Sequence, residues 1–267
     1  MSLLRVGVQL HPQATTVDEL LRAWRAADDM GADSIWTWDH FYPLYGDPDA
    51  AHFEGWTLLS VMAADTSRAR LGMLVTGNNY RNPELLADMA RTLDHVSNGR
   101  MYLGVGAGWF ERDYAEYGYE FGTGPSRLRQ LAADLPRMKS RLAALTPAAV
   151  GDLPILIGGG GEKKTLRLVA KYAQACNLFP TPELEHKLDV LREHCEREGR
   201  DYDDIQKTVM MGLDPGADGE KVPGLLDQLK GMSELGISHV HGIVPDVWKL
   251  EPLAVLGREV VPVIADW

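Results

Sequence analysis

Two stretches of this chain carry residue types that could act on a ligand. The first is the run Gly158-Gly159-Gly160-Gly161, followed directly by Glu162-Lys163-Lys164-Thr165 and a helical pattern. Glycine lets a backbone approach a ligand closely, and the free N–H groups and positive dipole end of a helix start favour an anion. The spacing is not that of a Walker loop. The run reads as a phosphate cradle or as a flexible strand–helix turn, and the pair Lys163 and Lys164 on an acidic chain favours the cradle. The second stretch is Asp39-His40, directly after Ser34-Ile35-Trp36-Thr37-Trp38. Histidine changes charge near neutral pH and can give or take a proton, or it can simply hydrogen-bond a loop. His239 and His241 stand two residues apart, which in a strand puts both rings on one side. With His11 or Asp39 they could hold a metal. No carboxylate lies near them in the sequence, so packing is the simpler reading and no metal is expected. Trp36 and Trp56 suit core packing, whereas Trp109 follows Gly106-Ala107-Gly108 and projects from a loop, where it could wall a flat ring or a substrate.

These residues need elements to hold them. Short apolar runs at Val6–Leu10, Ser34–Trp38, Leu71–Thr76, Met101–Val105, Ile155–Ile157, Ala175–Phe179, Thr208–Leu213 and Ile237–Val244 alternate with helical patterns. Near-continuous apolar strands separated by helices indicate a parallel sheet buried on both faces. Thr16-Val17-Asp18-Glu19 is a capping box with Leu20, Trp24 and Ala27 at helical spacing behind it, and Gly31 ends that helix. Asn82-Pro83 and Thr181-Pro182-Glu183 start helices that Asn98-Gly99 and Gly199 end. Leu145–Asp152 and Asp214–Gly224 read as loops. Eight alternations without a composition break predict one (β/α)₈ TIM barrel over residues 1–267, with an open doubly wound sheet as the alternative. In a barrel the working residues sit at the C-terminal strand ends. That rule selects Gln9 and His11, Asp39 and His40, Thr76 and Asn78, Ala107, Gly108 and Trp109, and Gly158–Gly161.

The bulk figures agree. The chain has 267 residues and a single barrel takes about 250. A net charge of −11 argues against nucleic acid and means that any phosphate site must be built locally. Cys176 and Cys195 stand in no metal or redox spacing and read as reduced thiols. Met1–Val6 lacks a signal-peptide pattern, and no apolar run of about 18 residues could span a membrane. The expectation is a cytoplasmic protein.

Six blocks then carry a resemblance. They are Trp36–His40, Phe53–Thr57, Leu74–Pro83, Leu93–Arg100, Leu103–Glu111 and Pro154–Glu162. In this order they resemble the luciferase-like class of flavin and deazaflavin oxidoreductases, in the branch that uses coenzyme F420. The resemblance covers nearly the whole chain. It implies that Asp39 hydrogen-bonds the deazaflavin ring and that His40 donates a proton or orients substrate beside it. It implies a bulge with a non-prolyl cis peptide at Leu74–Val75 behind the ring, and contacts from Thr76 and Asn78 to the ring or its ribityl chain. Ala107 and Gly108 would approach through backbone, and Gly160 and Gly161 would meet the phosphate. A homodimer is common in the class. Sugar-phosphate dehydrogenases of the class place a glutamate base where this chain has Trp109, so their chemistry is not carried over.

The expected activity is hydride transfer between the deazaflavin and a small organic substrate held near Gln9, His11, His40 and Trp109. Lys163 and Lys164 would suit the polyanionic tail of F420. The runner-up is a two-component monooxygenase using FMN on the same fold. Further alternatives are a barrel metallohydrolase built on His239 and His241, and a cofactor-carrying protein without turnover.

Overall fold

Strands and helices alternate as the hydrophobic rhythm requires. The structure, a computed structural model, describes residues 4–267. The strands are β1 (Arg5–Gln9), β2 (Ser34–Thr37), β3 (Arg70–Met73), β4 (Thr76–Gly77), β5 (Leu103–Gly106), β6 (Ile155–Gly158), β7 (Ala175–Leu178), β8 (Gln206–Gly212) and β9 (His239–Ile243). The helices that position the site are α1 (Val17–Asp29), α2 (Gly55–Asp65), α3 (Pro83–Val96), α4 (Glu111–Tyr117), α5 (Gly124–Ala144), α6 (Thr165–Tyr172), α7 (Leu184–Glu198) and α8 (Val222–Glu234). The sheet runs β3-β2-β1-β9-β8-β7-β6-β5-β4, parallel at each pairing. It closes because β3 also meets β5. Leu71 N–H donates to Arg100 O (2.9 Å) and Tyr102 N–H to Leu71 O (2.7 Å). The expected barrel is therefore present, and the open sheet is not.

The run Leu71–Thr76, read as one strand, is two. Leu71 faces Met101 and Thr76 faces Val105, five steps on one side against four on the other. The extra residue is absorbed at Leu74–Val75, where the peptide is cis. This is a bulge at the barrel rim, a device that re-aims side chains beside functional sites.

The helix signals held. Thr16 and Glu19 cap each other reciprocally, and Asn82 Oδ1 accepts from Leu85 N–H (3.0 Å) with Pro83 in the first turn. Gly199 ends α7 with φ +66, a left-handed turn that costs glycine nothing. The second expected loop is shorter than read, because α8 begins at Val222. Cys176 and Cys195 are buried and free. Among the described residues no helix is long and apolar enough to cross a membrane.

Two apolar layers hold the barrel. Strand and helix side chains such as Val8, Ile35, Leu59, Leu103, Leu135 and Val240 pack outside the sheet, and Trp36, Leu74, Tyr102, Leu156 and Ala175 pack within it. The lumen also carries polar groups. Tyr102 O–H donates to Gln206 Oε1 (2.8 Å), Gln206 Nε2–H donates to His239 Nδ1 (3.3 Å), and His239 Nε2–H donates to Ser34 Oγ (2.9 Å). His241 lies 4.6 Å from the Trp36 ring, and both its ring nitrogens are buried without a partner among the described residues. Among the described residues no three His, Cys, Asp or Glu side chains converge as a metal group. His11 and Asp39, the imagined third ligands, are committed elsewhere, so the metallohydrolase reading loses its ligand set.

Candidate active site

The C-terminal ends of the strands open into a cavity of about 600 Å³, a size suited to a cofactor or small ligand. Gln9, His11, Asp39, His40, Leu74, Val75, Thr76, Ala107, Gly108 and Trp109 all line it, as the sequence reading expected. Asn78, Gly160, Gly161, Lys163 and Lys164 do not.

The floor follows from the bulge. Val75 lies over two strand glycines, since a Cβ on Gly106 would sit 2.8 Å from its Cγ2 and one on Gly158 3.1 Å away. Larger residues there would push Val75 off the floor. The bulge carbonyl is held from the side, with Leu74 O accepting from Gln9 Nε2–H (3.0 Å). That fixes a chain of tautomers. Gln9 turns Oε1 to His11 Nε2 (3.1 Å), so His11 carries its proton on Nε2, and its Nδ1 accepts the Tyr45 hydroxyl. His11 stacks on Trp38 with centroids 4.2 Å apart, and burial lowers its pKa to about 4. It is a neutral wall. Gln13 ties the loop that presents Tyr45, taking Leu44 N–H (2.8 Å) and donating to Tyr45 O (2.9 Å).

His40 is the ionisable group with a task. Its Nδ1 lies 2.7 Å from Asp113 Oδ2 on α4. Asp113 also accepts Phe41 N–H (3.0 Å) and Tyr80 O–H (2.8 Å) and is fully buried. Burial and the neighbouring Asp113 charge raise the Tyr80 pKa, so Tyr80 stays a neutral donor. With these donors filling Asp113, His40 keeps a proton on Nδ1 and leaves Nε2 as the ring atom that can exchange one with a ligand. The sequence reading missed Asp113. It sits 73 residues from His40, and a single acidic residue on a short helix carries no motif.

Asp39 stands otherwise than expected. Both its oxygens are taken by Arg81 (2.5 and 2.9 Å), which also reaches Glu54 (3.0 Å). Burial pushes Asp39 up to about 6 against the pull of Arg81. Asn78 turns from the cavity and donates to Asp134 on α5 (2.8 Å), while its buried Oδ1 lacks a donor among the described residues. Thr76 Oγ1 accepts from Trp56 Nε1–H (3.2 Å), which leaves the Thr76 hydroxyl proton to give.

Gly158, Gly159 and Thr165 reach the cavity, and the glycine turn continues outward from them. Leu166 N–H donates back to Gly161 O (3.1 Å), so α6 starts later than the glycines themselves. Lys163 and Lys164 are exposed outside the cavity. The cation that meets the turn is Lys187 of α7, whose Nζ would lie 3.4 Å from a Cβ on Gly160. Sequence adjacency could not point to Lys187, because the helix that faces the turn comes from later in the chain. Trp109 is 62% exposed at the lip, edge-on to His40 at 5.6 Å.

Fold and site together define a (β/α)₈-barrel protein with an apolar shelf, an acid–base pair and a glycine turn at one mouth. The chain belongs to the luciferase-like monooxygenase family, whose model matches residues 1–213. It is 26% identical over 246 residues to an F420-dependent glucose-6-phosphate dehydrogenase of Amycolatopsis mediterranei (strain U-32), covering 82% of this chain and 72% of that one. It is 29% identical over 250 residues to a phthiodiolone/phenolphthiodiolone dimycocerosates ketoreductase of Mycobacterium bovis (strain BCG / Pasteur 1173P2), covering 79% of this chain and 65%, just under two thirds, of that one. An F420-dependent secondary alcohol dehydrogenase, solved with an F420-acetone adduct, superposes with a TM-score of 0.84 over 99% of both chains at 18% identity. That last likeness bears on fold.

Proposed function

We propose that this protein is a coenzyme F420-dependent oxidoreductase acting on a small organic substrate. The observation that carries the proposal is the His40–Asp113 pair opening onto an apolar shelf, with a glycine turn and Lys187 beside it. The names of the two curated relatives support the choice of carrier.

The residues suit such a group. Leu74 and Val75 offer a flat apolar floor, and the Thr76 hydroxyl and the backbone of Ala107 and Gly108 offer polar contacts. The amides of Gly160 and Gly161 with Lys187 suit a phosphate. Lys163 and Lys164 would meet a charged tail, which FMN lacks. Asp39 reaches the ring only as one partner of its Arg81 pair. When bound, the deazaflavin supplies or accepts the hydride. The protein supplies the proton. In reduction, His40 Nε2–H gives its proton to the substrate oxygen or nitrogen as the carbon gains the hydride. In oxidation, neutral Nε2 takes that proton back. Asp113 holds the ring for both directions. The same reading places the enzyme in the cytoplasm as a homodimer.

Titrating the purified protein with F420 and with FMN, followed by fluorescence quenching, tests the proposal. F420 should bind and FMN should bind far more weakly. Equal binding favours the monooxygenase reading, and binding of neither removes both. Lys187→Ala is expected to weaken F420 about ten- to hundred-fold, the loss of one charge-assisted contact. An unchanged affinity would remove Lys187 from the phosphate site.

A further inference from the structure

The cavity itself narrows the substrate. It is lined by Gln9, His11, His40, Trp109 and their neighbours, and no lysine or arginine is among the lining residues. The carboxylates at its edge are already neutralised. Asp39 is paired with Arg81, and Asp113 is filled by His40, Tyr80 and Phe41 N–H. His11 is neutral and its hydrogen bonds are closed within the protein. Away from Lys187 at the glycine turn, an anionic substrate would therefore meet no counter-charge on the cavity wall of a chain of net charge −11, and a cation would find no free carboxylate there. A buried charge without a partner is costly.

What faces the opening is apolar and aromatic. Tyr45, Trp109 and Phe179 line the cavity and are 56%, 62% and 51% exposed. Large rings left this open around one mouth mark a surface that a ligand covers. Met210 and Ile243 continue the apolar wall inside. Among the described residues His40 Nε2 is an ionisable hydrogen-bonding atom at this end that the protein leaves uncommitted.

Building on the F420-dependent reading, we propose that the substrate is an uncharged, largely apolar molecule with one carbonyl or hydroxyl group. That group is held at His40 Nε2, and the body is clamped by Trp109, Tyr45 and Phe179. Sugar phosphates and other anions are excluded. In the reducing direction the carbonyl carbon gains the hydride of the reduced deazaflavin with its electron pair. The C=O π pair moves to oxygen, and the oxygen takes the His40 Nε2 proton, giving the alcohol, oxidised deazaflavin and a neutral imidazole.

Three ketones of one shape and different charge test this on the cofactor-free protein by calorimetry. They are para-tert-butylacetophenone, para-acetylbenzoate and para-acetylphenyltrimethylammonium. The neutral ketone should bind at least about ten-fold more tightly than either ion. Trp109→Ala and Phe179→Ala should each weaken it about ten-fold. Both lie at the exposed lip, so circular dichroism serves to confirm folding. An ion binding as tightly as the neutral ketone overturns the proposal, as does a neutral affinity indifferent to both substitutions. Because this assay needs no F420, its outcome is separate from the F420 titration. Failure there with success here removes the carrier and leaves the ligand class standing.

Discussion

His40→Ala is expected to lower kcat about 10²- to 10⁴-fold, the usual worth of a positioned proton donor, while F420 affinity changes little. The reason lies in what surrounds the ring. Nδ1 is committed to Asp113 at 2.7 Å, and Asp113 is locked by Tyr80 and Phe41 N–H. The imidazole thus has one orientation and one free nitrogen, at the cavity wall. Removing it deletes the proton and leaves the shelf, the turn and Lys187 in place. Asp113→Asn should give a smaller loss, about ten- to hundred-fold in kcat, because the amide can still face Nδ1 but loses the charge-assisted bond. Asp113→Glu should recover part of that loss if positioning is the role. The measurement is the split between steady-state kcat and the Kd for F420 from fluorescence quenching. A fall in both parameters by the same factor would make His40 a structural support of the cofactor pocket instead.

The sequence made the barrel legible because its strands are buried on both faces and its helices carry explicit caps. Thr16-Glu19 and Asn82-Pro83 act within four residues, so neighbours in the chain are neighbours in space. The mouth was legible for the same reason, since position at a strand end predicts what lines the cavity. The misses share one cause. Asp113, Arg81 and Lys187 matter through partners that lie 73, 42 and 27 residues away, at His40, Asp39 and Gly160. On an exposed helix such as α7 a lysine looks the same whether it faces solvent or a glycine turn. The break in the strand at Leu74–Val75 was likewise hidden in an unbroken apolar run and came only from the resemblance. Lys163 and Lys164 are the converse case, adjoining the motif in sequence while lying outside the cavity.

The protein should lose stability steeply just below pH 6.5, and the barrel lumen is the cause. His239 and His241 are fully buried and His11 nearly so. Burial lowers His241 to about 3 and His11 to about 4, and burial with the neighbouring His241 puts His239 well below its ordinary value. In the unfolded chain each takes a proton near 6.5. Below that pH the unfolded state binds protons that the folded state refuses, so stability falls with falling pH until the folded pKa is reached. Each group's slope rises from half of about 1.4 kcal/mol per pH unit at pH 6.5 toward that full value below it, about 1 kcal/mol over the first unit. Asp39, lifted to about 6, works in the opposite direction and offsets part of the fall. The net loss between pH 6.5 and 5.5 is roughly 2–3 kcal/mol, a large share of the roughly 5–15 kcal/mol that holds a typical domain. Urea unfolding midpoints at pH 7.5, 6.5 and 5.5 measure it directly. His241→Phe isolates one contributor. Its two ring nitrogens have no partner among the described residues, so an apolar ring in the same place against Trp36 forfeits no hydrogen bond seen there and removes the proton uptake. The variant should match or exceed the parent at pH 7.5 and outlast it more clearly at pH 5.5. A midpoint that stays level down to pH 5.5 in the parent would mean that these histidines are hydrated and that the lumen admits water.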